Sequence, residues 1–108
     1  MVEKRKSGTE PDPDVASPPQ LVVSYTKSFD RDLDRMAKRG KDLAKLRAVV
    51  DSLRNRVALE VSRRDHALTG EWVGYRDVHV EPNWILVYER TDTELRLMRT
   101  GTHADLGF

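Results

Sequence analysis

The chain of 108 residues contains no cysteine. That absence excludes a disulfide framework, a zinc–thiolate site and a thiol nucleophile, and it suits a cytoplasmic setting. Long apolar runs are missing too. No stretch approaches the roughly 20 residues of a membrane span, and the N-terminus lacks the apolar centre of a secretory signal. Beyond residue 20 proline is scarce, with Pro82 alone of the five. No internal repeat is present. The net charge of +1 has no strong sign of its own, because it averages unlike regions.

What is present divides into a leader and one domain. Residues 1–20 hold four prolines and scarcely a large apolar side chain. Such a segment cannot offset its ordering entropy by burial, so it is expected to be disordered. Residues 21–108 form the expected folded domain. Between residues 27 and 56 lie ten Lys or Arg against five Asp, a local excess of +5. This excess fits a surface that meets phosphate or an acidic partner, and equally a solvated helix face laced with i, i+4 ion pairs.

Leu21-Val22-Val23-Ser24-Tyr25 reads as a strand. Thr26 or Ser28 then caps a helix whose Phe29, Leu33 and Met36 form an apolar stripe, with Asp30, Asp32 and Asp34 favourably placed for the helix dipole. Gly40 stops it. A second helix is predicted from Asp42 to Arg56, burying Leu43, Leu46, Val50 and Leu53. Residues 57–71 connect this helix hairpin to a meander. Its strands are Trp72 to Val80 with a bulge at Gly74, the apolar central strand Trp84 to Tyr88, and Glu94 to Arg99. Glu81-Pro82-Asn83 and Thr91-Asp92-Thr93 are the turns between them. The order βααβββ predicts an α+β domain with its helices packed on one sheet face.

The chemistry gathers in the last third, where His66, His79 and His103 each fall at a predicted strand end or in a loop beside one. Their spacing gives no i, i+4 pair on a helix, and no carboxylate completes a ligand set, so neither a metal nor another cofactor is expected. Imidazole near neutrality suits general acid–base work instead. RNA brings its own nucleophile, the 2′-OH. A protein need only take that proton, stabilise the phosphate and protonate the leaving 5′-oxygen. The three histidines with Arg99, whose guanidinium offers a planar fork of donors, cover those tasks. Trp84 and Phe108 are candidates for stacking on bases. Each residue has a structural reading as well: a loop cap for His66, a half-buried strand position for His79, core for Trp84, and a strand ion pair with Glu94 or Asp77 for Arg99.

Four ordered blocks narrow the choice. They are Arg64-Asp65-His66-x-Leu68-x-Gly70, Gly74-Tyr75-Arg76-Asp77-Val78-His79-Val80-Glu81-Pro82, Trp84-Ile85-Leu86-Val87-Tyr88 and Arg99-Thr100-Gly101-Thr102-His103. Together they resemble the YafQ-type toxins of the RelE/ParE superfamily of bacterial type II toxin–antitoxin systems, over residues 21–108. The resemblance implies a RelE-like fold and a ribosome-dependent mRNA endonuclease that cuts messages in the ribosomal A site without a metal. It makes His66, His79 and His103 candidates for proton transfer, Arg99 a phosphate support, and Asn83, Trp84 and Phe108 RNA contacts. A cognate antitoxin is the implied protein partner, beside the ribosome and mRNA, with the basic hairpin as a docking surface. Two positions depart from the pattern. Asn83 stands where the family usually has aspartate, and asparagine cannot take a proton at neutral pH. Gly107 separates Leu106 from Phe108 where the family tends to end in Leu-Phe. Asn83 keeps a second reading open, a catalytically weakened member that binds antitoxin and ribosome.

Overall fold

The computed structural model describes residues 19–108. The expected leader, residues 1–20, therefore lies outside the described residues except for Pro19 and Gln20. Val22–Tyr25 form β1. Thr26 then caps α1, Lys27–Lys38, its hydroxyl accepting the Phe29 N–H at 3.0 Å. Asp42 caps α2, Leu43–Arg54, by accepting the Ala44 N–H. Of the three aspartates assigned to the α1 dipole, only Asp30 occupies the first turn, while Asp32 is buried against the rest of the fold. Phe29 and Met36 are buried with Leu33 packed beside them, and Leu46, Val49 and Leu53 are the buried residues of α2.

The connector after α2 contains more structure than its composition suggested. Single 3₁₀ turns at Val61–Arg63 and Gly70–Trp72 flank a two-residue strand, β2, His66–Ala67. The next strand, β3, starts only at Arg76 and ends at Glu81, because Trp72 belongs to the 3₁₀ turn and Gly74 to the turn that follows it. β4 spans Trp84–Arg90 and β5 spans Glu94–Gly101. A four-residue helix, α3, His103–Leu106, closes the chain.

The five strands stand in the order β1-β5-β4-β3-β2, with β1 parallel to β5 and every other pair antiparallel. The fold is α+β, and β4 is central, as its unbroken apolar run requires. Alternation along the strands divides the sheet into two unlike faces. Val78, Trp84, Leu86, Tyr88, Leu95 and Leu97 meet Phe29, Met36, Leu46, Val49 and Leu53 in the helix-side core. The opposite face is set by register: Asp77 pairs with Val87 and Val87 with Arg99, while His79 pairs with Ile85 and Ile85 with Gly101. Ile85 and Val87 are buried yet stand outside the helix-side cluster. They form an apolar floor bordered by Asp77, His79 and Arg99.

Candidate active site

That floor is where the sequence candidates converge. His79 and His103 have ring centroids 5.4 Å apart, although one lies in β3 and the other opens α3. His103 is held by Asn83, whose Oδ1 accepts the His103 backbone N–H at 3.2 Å and lies 2.7 Å from its Nδ1. The backbone donor fixes which end of the amide is oxygen, so Nδ1 carries the proton and Nε2 holds the free lone pair of the neutral ring. His66 is arranged alike. Its Nδ1 lies 2.7 Å from the Arg64 carbonyl, which can only accept, and this again leaves Nε2 free. Arg64 makes that contact from a left-handed conformation, φ 54°.

Between the histidines sits Asp77, a residue the sequence reading did not select. It is buried, and its Oδ1 lies 3.0 Å from His66 Nδ1 without receiving a hydrogen bond, because that N–H serves Arg64. Burial pushes the Asp77 carboxyl above its ordinary range, and the neighbouring His66, His79 and His103 oppose the shift. His79 Nδ1 is likewise enclosed without a partner among the described residues. The signal for Asp77 was available: it lies two positions before His79 in a strand and therefore on the same face.

Arg99 is present on this face but clamped. Its Nε and Nη2 donate to the two oxygens of Asp32 at 2.6 and 3.1 Å, and Asp32 also accepts the Thr100 N–H at 3.1 Å. Asp32 is only 1% exposed, and Arg35 at 3.4 Å adds a second cation to the same carboxylate. The partner is neither Glu94 nor Asp77. No local sequence pattern joins residues 67 positions apart. The remaining guanidinium N–H groups stay available to a phosphate.

Further ion pairs fix the elements that carry the site. Lys41 and Lys45 hold Glu81 at the end of β3, at 2.9 and 2.8 Å. Lys45 and then Lys41 keep the Glu81 carboxyl below its usual range. Arg39 grips Asp105 of α3 through two bonds of 2.6 and 3.0 Å, and with the Thr102 N–H it holds that carboxyl well below the carboxylate range. Behind His66, Asp65 Oδ1 accepts the Tyr88 hydroxyl at 2.6 Å and Arg76 Nε at 3.2 Å. Burial, reinforced by Asp65, pushes Tyr88 up to about 12, so its hydroxyl keeps the proton that it donates to Asp65.

The aromatic assignments divide. Trp84 is 0% exposed, and its indole N–H donates to Thr100 Oγ1 at 2.8 Å inside the helix-side core. A ring enclosed on both faces offers no π-surface to a base. Trp84 is therefore a core residue, and its expected role as a stacking surface is corrected. Phe108 is 41% exposed and packs edge-to-face on Trp72, which in turn meets Tyr75. Trp72 lies in the 3₁₀ turn rather than in the strand that the sequence pattern predicts, and neither it nor Tyr75 is among the sequence candidates for the site.

Residues 21–107 match the family described as the bacterial toxin of type II toxin–antitoxin systems, YafQ. Over 88 residues the chain is 46% identical to the mRNA interferase toxin YafQ of Escherichia coli strain K12, covering 81% of this chain and 96% of that protein. The crystal structure of YafQ from Escherichia coli BL21(DE3) superposes with a TM-score of 0.77 at 44% identity, over 81% of this chain and 98% of the other. The toxin of the Escherichia coli DinJ–YafQ toxin–antitoxin complex gives 0.75 at 45% identity, over 81% and 97%.

Proposed function

The chain belongs to the YafQ family of bacterial type II toxins, and from that membership we propose that it is an mRNA endonuclease. In this reading it cuts messages on the ribosome, in the A site, and uses the RNA 2′-OH as nucleophile without a metal. The observation that carries the proposal is the face on which His79 and His103 stand 5.4 Å apart and His66 lies 3.0 Å from the buried Asp77, with two imidazoles presenting a free Nε2.

The chemistry balances on those residues. One imidazole Nε2 takes the 2′-OH proton as the oxygen attacks the adjacent phosphorus. The bond from phosphorus to the 5′-oxygen breaks, and a second imidazole, protonated beforehand, gives that oxygen its proton. A 2′,3′-cyclic phosphate and a 5′-hydroxyl result. Arg99 supports the phosphate with the donors that Asp32 leaves unused, and its orientation is fixed in advance. Asn83 acts through His103: its oxygen sets the tautomer, and it takes no proton itself.

The partner is a cognate antitoxin, a reading supported by the solved DinJ–YafQ complex. The hairpin supplies the docking charge. Lys27, Lys38, Arg47 and Arg54 make no ion pair among the described residues, whereas Arg35, Arg39, Lys41 and Lys45 are spent on intramolecular acids.

Primer extension on a defined mRNA in a purified translation system tests the proposal. Wild type should give discrete cuts only with ribosomes. His103→Ala should lose them by roughly 10²–10⁴-fold, the scale of one general acid or base. Cuts from Asn83→Asp alone would identify a toxin weakened at that position. Silence from all three proteins on translating ribosomes would leave an antitoxin-binding member of the family.

A further inference from the structure

His79 is held differently from the other two histidines. His66 and His103 are tied through Nδ1, to the Arg64 carbonyl and to Asn83 Oδ1, at 2.7 Å each. His79 Nδ1 is enclosed and has no partner among the described residues. Its ring is therefore aimed by its backbone, and that backbone lies at a weak point of the sheet. On one side, β2 pairs with Arg76 and Asp77 of β3 and goes no further. On the other, the register with β4 shifts between His79 and Glu81, which leaves Val80 without a partner in β4.

Arg63 closes that gap. It stands half-buried at the end of the 3₁₀ turn Val61–Arg63, and a single nitrogen, Nη1, donates to the Val80 carbonyl at 2.7 Å and to the His79 carbonyl at 3.3 Å. A cationic donor makes such bonds stronger than neutral ladder bonds. The turn buries no residue of its own, so polar contacts rather than packing seat it against β3. Its next residue, Arg64, supplies the carbonyl that fixes His66. The Arg63 N–H donates to the Glu60 carbonyl at 2.9 Å and the Arg64 N–H to the Val61 carbonyl at 3.0 Å, which keeps the two grips in fixed relation. One short turn thus holds His79 by a side chain and His66 by a main-chain oxygen.

We propose that Arg63 is a positioning residue for His79, its guanidinium serving as the missing strand partner, and that residues 61–64 set the separation of His66 and His79. The inference rests on the endonuclease reading and adds a residue that the acid–base chemistry does not use. Both Arg63 bonds go to main-chain oxygens, so its effect on catalysis passes through the backbone. An imidazole displaced by about 1 Å loses on the order of 10²-fold in rate. Arg63 also lines a cleft of about 510 Å³ beside His79 and Pro82, where a direct phosphate contact is the competing outcome.

The test uses the full chain with Arg63→Met, which keeps the stem and removes the donors, and Arg63→Lys, whose ammonium can serve both carbonyls as Nη1 does. Histidine-ring ¹H–¹⁵N spectra of the protein without ribosomes read the first effect, the three imidazoles being assigned by replacing each in turn. In Arg63→Met the His79 signals should shift or broaden, His66 should move with them, and His103 should move less than either. Arg63→Lys should return His79 to its wild-type position. In ribosomal cleavage Arg63→Met should lower kcat roughly 10-fold or more while KM moves less than about 2-fold, and Arg63→Lys should recover most of the loss. Should Arg63→Met fail to fold, Arg63→Gln takes its place with the same expected results. A rise in KM alone, with kcat and the His79 signals unchanged, would make Arg63 a phosphate contact and overturn the proposal. Unmoved His79 signals overturn it whatever the kinetics. Displaced His79 signals, restored by lysine, in a protein whose wild type makes no cuts would uphold the positioning role and sink the endonuclease reading.

Discussion

At the scale of single residues, the most informative side chain is one that the fold tolerates at a cost. Asp77 is buried with Oδ1 unmatched, and burial pushes its carboxyl upward. A carboxyl whose folded pKa lies above its unfolded value favours folding in its protonated form. Its ionised form is therefore a burden at neutral pH that disappears as pH falls through the native titration. Asp77→Asn should accordingly raise stability at pH 7 by about 1 kcal/mol, the scale of one poorly matched buried polar group, with the gain vanishing in acid. Cleavage should fall, because the three histidines lose the charge between them. Thermal unfolding across pH, paired with the cleavage assay, checks both halves. Lower stability at pH 7 would instead identify the carboxylate as a net anchor for His66.

At the scale of elements, α3 decides whether the site is assembled, and it is attached by close fit. A Cβ at Gly101 would lie 3.0 Å from both Cβ and Oδ2 of Asp105. Gly101→Ala should therefore push α3 off Arg39 and away from Asn83, costing at least about 10-fold in cleavage while the thermal midpoint moves little, since α3 contributes no buried residue. A loss of midpoint as large as the loss of activity would argue against a local effect. The sequence announced α1 and α2 because each repeats its apolar residues over enough positions to display a period, and β1 and β4 by their runs of β-branched and aromatic residues. It could not announce α3, four residues long, or β2, two residues long, since neither completes a period. The bulges between His79 and Glu81 and beside Val87 were equally hidden, as register belongs to a pair of strands. The same limit applies at the site. The histidines were legible as residue types, whereas the Asp32–Arg99 clamp, Asp77 at the centre and the burial of Trp84 depend on contacts made only in the fold.

Across the whole molecule, the helix hairpin and the site face lie on opposite sides of one sheet, and acid–base pairs at the sheet's end connect them. Asp32 takes Arg99 of β5, Lys41 and Lys45 take Glu81 of β3, and Arg39 takes Asp105 of α3. The excess of base in the hairpin is thus partly internal wiring. The Glu81 and Asp105 carboxyls are both depressed in the fold by those cations, with the Thr102 N–H adding to the effect at Asp105. Their stabilisation is fully present above the unfolded values, about 4, and is lost as pH falls through the folded ones. Asp77 acts with opposite sign and higher on the scale, so stability should pass through a maximum on the acid side before it falls. Below about pH 4 the site elements should loosen ahead of the apolar core, which carries no such groups. Hydrogen exchange at Gly101 to Phe108, followed beside the β4 amides from pH 6 to about 3, would resolve the two. The tail should lose protection first in wild type, and in a Glu81→Gln, Asp105→Asn variant it should exchange fast at every pH. Simultaneous loss of protection in the tail and β4 would mean that the ion pairs hold the whole domain rather than the site.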